Sequence, residues 1–232
     1  NANVNAESDF GTALQGASAG GYEGIVKLLL DKNADVNAEG GSNRSALQEA
    51  SAGGHEGIVK LLLNKNANVN AKGRSNGTAL QEASAGGYEQ IVKLLLDKNA
   101  DVNAEGGFSG TALQRASAEG HEGIVKLLLD KNANVNAKGR SNGTALQEAS
   151  AGGYEQIVKL LLDKNADVNA EGGFSGTALQ RASAEGHEGI VKLLLDKNVD
   201  VNAKGDFGTA LQRASARDYG KIVKLLRDNG AI

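Results

Sequence analysis

One tetrapeptide, Thr-Ala-Leu-Gln, returns along this chain at a nearly fixed step, and that period constrains the fold more than any other feature. Its anchors are Thr12, Ser45, Thr78, Thr111, Thr144, Thr177 and Thr209, spaced by 33 residues five times and then by 32. A step of this size marks a stack of small elements, none large enough to own a core. Seven such repeats fill the 232 residues without a linker, so a single continuous domain over 1–232 is expected. The copying is exact over a long stretch, since residues 67–132 and 133–198 are identical at all 66 positions. The duplicated tile is therefore a pair of repeats, which favours a modular scaffold over one bespoke site.

Within a repeat, "TALQEASAGG" predicts a short helix. Thr78 is its N-cap, Ala79, Leu80 and Ala83 share an apolar face, and Gly86-Gly87 ends it. "YEQIVKLLLDKN" predicts a second helix with Ile91, Val92, Leu94 and Leu95 apolar and Lys93 and Lys98 facing water. Asn99 stands where a left-handed residue would close that helix, and Gly230 takes the same place in the last repeat. An extended turn, "ADVNAEGGFSG", follows, with Val102 as its one buried apolar residue. Both helices are shorter than the ~12–15 residues an isolated helix needs in water. Each must therefore bury its leucine-rich face against neighbouring repeats, as an all-α solenoid of seven helix-turn-helix elements does.

The fourth repeat, "GTALQRASAEGHEGIVKLLLDKNANVNA" (residues 110–137), resembles the ankyrin repeat in length, order and composition, and the resemblance covers the whole chain. Three departures are systematic. Alanine replaces the family's proline, as at Ala79 and Ala112, and its high helix propensity offsets the lost first-turn geometry. Glutamine replaces the first histidine, as at Gln81 and Gln114, and it retains the donors and acceptors needed to brace a loop. Asparagine replaces the glycine after the second helix. The "TALQ" form is similar to ankyrin arrays of filamentous fungi, which implies the sensor region of a larger NTPase receptor as one alternative. The low diversity between repeats leaves a second alternative, a near-consensus array with no evolved ligand.

Composition narrows the chemistry. The net charge is −3, from 25 basic and 28 acidic residues, so neither nucleic acid nor an anionic membrane is expected as the main partner. Cysteine is absent, which removes disulfides and thiolate chemistry and fits a reducing, cytoplasmic setting. Apolar runs such as Ile91–Leu96 are broken by lysine and are too short to span a bilayer. No basic start followed by an apolar stretch is present, so no secretory leader is expected. The chain opens on Asn1 partway through a repeat, as a fragment of a longer chain would.

No catalytic constellation converges, and neither an enzyme, a cofactor nor a metal is expected. His55, His121 and His187 lie 66 residues apart, and Tyr22, Tyr88, Tyr154 and Tyr219 fill the same slot in alternate repeats. A slot that accepts either ring is a packing position, and histidines two repeats apart cannot share a metal. "EGGFSGT" at 105–111 lacks the lysine of a phosphate loop and does not follow a parallel strand. The serines of "ASAGG" have no histidine placed to activate them. Asn43, Asn76 and Asn142 match the glycosylation pattern, yet Asn76-Gly77 and Asn142-Gly143 are explained more simply as tight turns.

The residues that vary carry the functional expectation. The position after each glutamine reads Gly16, Glu49, Glu82, Arg115, Glu148, Arg181 and Arg213, with the sign alternating from Glu82 to Arg181. Neighbouring repeats are expected to pair across the first-helix face, each exposed pair worth ~0–1 kcal/mol. The turn tips alternate as well: Arg74 and Arg140 on one kind, Phe108 and Phe174 on the other, with Phe10 and Phe207 on shorter tips. The ankyrin resemblance implies a monomeric protein-interaction scaffold that binds a protein on the concave side of tips and first helices. Carried over, that surface comprises Arg74, Glu82, Phe108, Arg115, Arg140, Glu148, Phe174 and Arg181. Arg217, Asp218, Lys221, Arg227 and Asp228 make the last repeat more polar, as a solubilising end would be. The first repeat shows little such change, so its outer face is expected to fray or to continue into further sequence.

Overall fold

The computed structural model describes residues 3–38, 44–73, 77–106, 110–139, 143–172 and 176–232. Two compact units divide the chain, Asn1–Ala112 and Leu113–Ile232, the division falling at the first residue of a helix. The first unit opens with a two-residue antiparallel pair, β1 (Glu7–Ser8) and β2 (Gly11–Thr12), in which Glu7 faces Thr12 and Ser8 faces Gly11. Three helix pairs follow: α1 (Ala13–Ala19) and α2 (Glu23–Asp31), α3 (Ala46–Ala52) and α4 (Glu56–Asn64), α5 (Ala79–Ala85) and α6 (Glu89–Asp97). The second unit is built in the same way. Its pairs are α7 (Ala112–Ala118) and α8 (Glu122–Asp130), α9 (Ala145–Gly152) and α10 (Glu155–Asp163), α11 (Ala178–Glu185) and α12 (Glu188–Leu195), and α13 (Ala210–Ala216) and α14 (Gly220–Asp228). Every helix has nine residues or fewer, so packing rather than propensity holds it.

The local signals act as expected. In α5 the Gln81 N–H donates to Thr78 Oγ1, and the Thr78 N–H donates back to Gln81 Oε1 at 2.5 Å. This is a capping box with glutamine at the third helical position, and it recurs in α1, α3, α9, α11 and α13. Each such cap contributes on the order of 1 kcal/mol. Asn33, Asn66, Asn99, Asn132, Asn165 and Asn198 all adopt positive φ after their second helices, and Gly230 does so in the last repeat.

The first helices bury alanine and leucine (Ala79, Leu80 and Ala83), while the second helices bury Ile91, Val92, Leu95 and Leu96. Leu94 is only half-buried, so the seam is Ile-Val-Leu-Leu at offsets of one, three and one rather than the set read from the sequence. A second correction concerns the turn. Val102 is half-buried, and it is Ala104, two residues on, that is fully covered. The Ala104 carbonyl accepts from the Gln81 amide of α5, which ties that residue, rather than Val102, to the first helix.

The glycine pair and the aromatic slot turn out to be one device. A side chain at Gly86 would collide with the Tyr88 ring of its own repeat. A Cβ at Gly54, one repeat earlier, would come within 2.5 Å of the same ring. The rings of His55, Tyr88 and Tyr154 thus lie against bare backbone on both sides, whereas beside His187 and Tyr219 the glycine of the ring's own repeat is replaced by Glu185 and Arg217. Histidine uses this slot with a hydrogen bond: Nε2 of His55 lies 3.2 Å from the Ala19 carbonyl, and Nε2 of His187 lies 3.0 Å from that of Ala151. A carbonyl only accepts, so the proton sits on Nε2 and the ring is a structural brace.

Candidate interaction surface

Two ladders of side-chain amides fix the surface on which a partner could be received. The first is the glutamine ladder. Gln48 Nε2 donates to the Gly77 carbonyl (2.5 Å), and Gln81 Nε2 donates to those of Ala104 (3.1 Å) and Gly110 (2.5 Å). In the second unit Gln147 reaches Ala170 (2.9 Å) and Gly176 (2.9 Å), and Gln180 reaches Ala203 (2.8 Å) and Gly208 (3.1 Å). Each glutamine therefore caps its own helix with Oε1 and braces the next turn with Nε2.

The second ladder escaped the sequence reading. Asn70 Oδ1 accepts from the Asp101 N–H (2.8 Å), while its Nδ2 donates to the Asn99 carbonyl (3.3 Å). Asn37 does the same with Asn68 and Asn66, and Asn136 and Asn169 repeat it in the second unit. The signal was present as the Val-Asn-Ala of every turn, which carries one amide at one fixed place.

On this frame stand the side chains after each glutamine. The expected pairing occurs, but not at an exposed surface. Arg181 Nη1 lies 2.9 Å from Glu148 Oε1, with the arginine side chain only 8% accessible and the carboxylate 16%. Such a pair is screened little by salt and orients both groups firmly. In the first unit two acidic neighbours, Glu49 and Glu82, are bridged by a residue the sequence reading passed over. Arg44 reaches Glu49 at 3.6 Å and Glu82 at 3.3 Å. It stands where other repeats have glycine, as at Gly77 and Gly143, and that substitution was the available signal.

Of the expected surface residues, Glu82 and Arg181 are buried, and Arg115 and Glu148 are half-buried along the first helices. Arg74, Phe108, Arg140 and Phe174 lie outside the described residues, as do Asn43, Asn76 and Asn142. The short tips are described: Phe10 and Phe207 are both largely exposed, and the Arg213 guanidinium lies 5.6 Å from the Phe207 ring centroid.

The opposite flank carries simpler electrostatics. Glu–Lys pairs four residues apart line the second helices, as in Glu89–Lys93 (2.7 Å) and Glu155–Lys159 (2.9 Å). The Glu188 carboxyl is held below the ordinary value, chiefly by its hydrogen bond from Lys192 against a smaller opposing desolvation, with Lys192 and Lys221 adding charge. Ser84, Ser117 and Ser150 are fully buried, which closes them to any substrate. Among the described residues no His, Asp and Glu side chains gather as a metal site would need. No helix among them is long and apolar enough to cross a membrane.

A family model of ankyrin repeats matches the chain three times, over residues 14–106, 105–172 and 171–232. Among solved structures, the human ASB11 ankyrin repeat domain is similar, with a TM-score of 0.82 and 27% identity over 93% of this chain and 97% of that one. No curated protein sequence matches the chain. The amide-braced stack of short helix pairs and these matches agree: the chain belongs to the ankyrin repeat family.

Proposed function

We propose that the chain is a non-catalytic scaffold that receives a protein partner on its turn tips and first helices. One observation carries this reading. The glutamine and asparagine ladders hold the backbone constant from repeat to repeat, while the residue after the glutamine varies and alternates in sign from Glu82 to Arg181. A constant frame with one variable side chain per repeat is the arrangement that tunes a contact surface without altering the fold. The half-buried Arg115 and Glu148 would orient the partner, with the buried Glu82 and Arg181 setting the charge of the row from beneath, and Arg74, Phe108, Arg140 and Phe174 would contact it from the tips. The partner-facing surface, the single continuous array over 1–232, the monomeric state and a cytoplasmic setting belong to the same proposal.

Photo-crosslinking from within the surface tests it. A benzophenone amino acid replaces Arg115 in one variant and the second-helix residue Lys126 in another, and each is exposed to extract under illumination. Capture of a protein from position 115 but not from 126 is the expected result. Equal capture from both would refute the assignment of the face. With a captured partner in hand, unchanged affinity after Phe108→Ala and Phe174→Ala together would remove the anchoring role of the tips.

A further inference from the structure

We infer that the outer face of the first repeat is a docking surface for one further ankyrin-type repeat, carried on the same polypeptide ahead of Asn3, and that the last repeat is closed to such a neighbour. The face is made by Tyr22, Ile25 and Leu28, which are 60%, 50% and 59% exposed. Their counterparts within the first unit are covered: Ile58 and Ile91 are buried, and His55, Tyr88, Leu61 and Leu94 are half-buried. The preceding repeat supplies that cover, with α2 against α4 and α4 against α6. The same letters in α2 thus present a seam with one side empty. The backbone matches as well. Asp35 and Asn68 donate their N–H groups to the Asn5 and Asn37 side chains of the turn before, at 2.8 and 2.7 Å. Asn3 holds the equivalent place in "NANVNA", and its N–H has no acceptor among the described residues.

What the rings demand specifies the occupant. A Cβ at Gly21 would come within 2.6 Å of the His55 ring, and one at Gly54 within 2.5 Å of the Tyr88 ring. In the second unit Gly120 stands in the same relation to Tyr154, and Gly153 to His187. Each ring therefore requires a glycine of positive φ as the second residue of the preceding repeat's closing pair. Leu30 and Leu63, near the ends of α2 and α4, complete the seam from the same side and are buried. A repeat that covers Tyr22 must offer that glycine, an apolar residue near the end of its second helix, and an amide acceptor for Asn3.

The last repeat fails the first two of these requirements. Asp218 stands where the others have the glycine, at φ of 57°, so its side chain fills the space a following ring would take. Arg227 stands exposed at the place of Leu30. A second copy of the chain is thereby excluded from docking through its last repeat. Two first repeats facing one another fail too, since Gly21 lies under His55 and away from the exposed flank. The path of the chain argues against a separate protein. Ala6 donates to the Asn3 carbonyl as Ala38 does to that of Asp35, and the Asn5 N–H donates to the Asn3 side chain as Asn37 does to Asp35. Residues 3–6 therefore form the turn into which a second helix runs directly, and they occupy the exit a separate chain would need.

The test joins a copy of residues 166–197 ahead of Asn1 in the full chain, in register, because Lys197 precedes Asn198 as the copy's last lysine would precede Asn1. Amide hydrogen exchange followed by NMR should slow about tenfold at Val26 and Leu29 of α2, while α12 of the original chain stays unchanged. The same copy carrying Gly186→Asp and Leu195→Arg should give no slowing. At the other end, a copy of residues 201–232 joined after Ile232 should leave α14 unchanged. It should slow α14 only once Asp218→Gly and Arg227→Leu are made in the original last repeat. Unchanged α2 exchange with the first copy, or equal slowing by its substituted form, would overturn the docking surface. Slowing of α14 by the unmodified appended copy would overturn the closure of the last repeat. Sedimentation of the unextended chain should show a monomer, and association abolished by Leu28→Glu would overturn the assignment in favour of a second copy. Crosslinking from position 115 is independent of all these outcomes.

Discussion

The second helices of the first and last repeats share a template and meet different surroundings. In α2, Ile25 is 50% and Leu28 59% exposed, whereas Val26 and Leu30 are buried. In α14 the pattern inverts: Ile222 is buried, Val223 is half-buried, and Arg227 stands exposed where α2 has Leu30. Inside each unit both sets are covered, as Ile58 (1% exposed) and Val59 show in the first and Ile190 and Val191 in the second. The comparison separates two flanks of one helix. The isoleucine packs toward the preceding repeat, while the valine and the third leucine pack toward the following one. The last repeat replaces that leucine with arginine, and the first keeps its isoleucine. The chain is thus polar at its final helix and apolar at its first, as the sequence reading anticipated for the solubilising residues.

The strongest way to break this distinction is to truncate the same residue on both sides of it. Ile58→Ala should lower stability by about 3 kcal/mol, since it leaves a cavity between α2 and α4, while Ile25→Ala should cost less than about 1 kcal/mol. Urea unfolding followed by circular dichroism reads both, and equal losses would show that the flanks are not distinct. Next in size are the glutamines. Gln147→Ala removes a cap and a buried brace, with an expected loss of about 2 kcal/mol. Gln212 is exposed in the last repeat and keeps its role as a cap, so Gln212→Ala should cost about half as much.

A smaller effect sharpens the comparison at the helix ends. Asn99 holds φ of 61°, a conformation glycine adopts without steric penalty, so Asn99→Gly should stabilise the chain by about 0.5 kcal/mol. Gly230, at φ of 89°, should lose a similar amount on replacement by asparagine. The smallest change concerns Glu188, whose folded pKa lies below its unfolded one. Its contribution is present above the unfolded pKa and is lost as pH falls through the folded value. Lys221, which stands where α12 has Gly189, adds to this depression, so Lys221→Ala should move the Glu188 carboxyl midpoint upward slightly in a ¹³C NMR titration. Lys192→Ala should move it further.

Much of this protein was legible from particular letters. The period gave the number of repeats, Thr78 and Gln81 gave the cap, and Asn99 gave the left-handed exit. These features are local, depending on a residue and its neighbours within one turn of chain. The ankyrin character followed because that local grammar is spelled seven times. What stayed hidden depends on residues some thirty positions apart. The bridging of Glu49 and Glu82 by Arg44, the asparagine ladder and the burial of the Arg181–Glu148 pair all join one repeat to the next. The exchange of Val102 for Ala104 as the covered turn residue belongs here too, because the Gln81 amide that holds the Ala104 carbonyl lies 23 positions away. By itself the sequence determined what each repeat is, because capping and helix geometry act over a few residues. Only the tertiary structure decided which charges face each other and which flank meets water, because those outcomes depend on distances created by stacking.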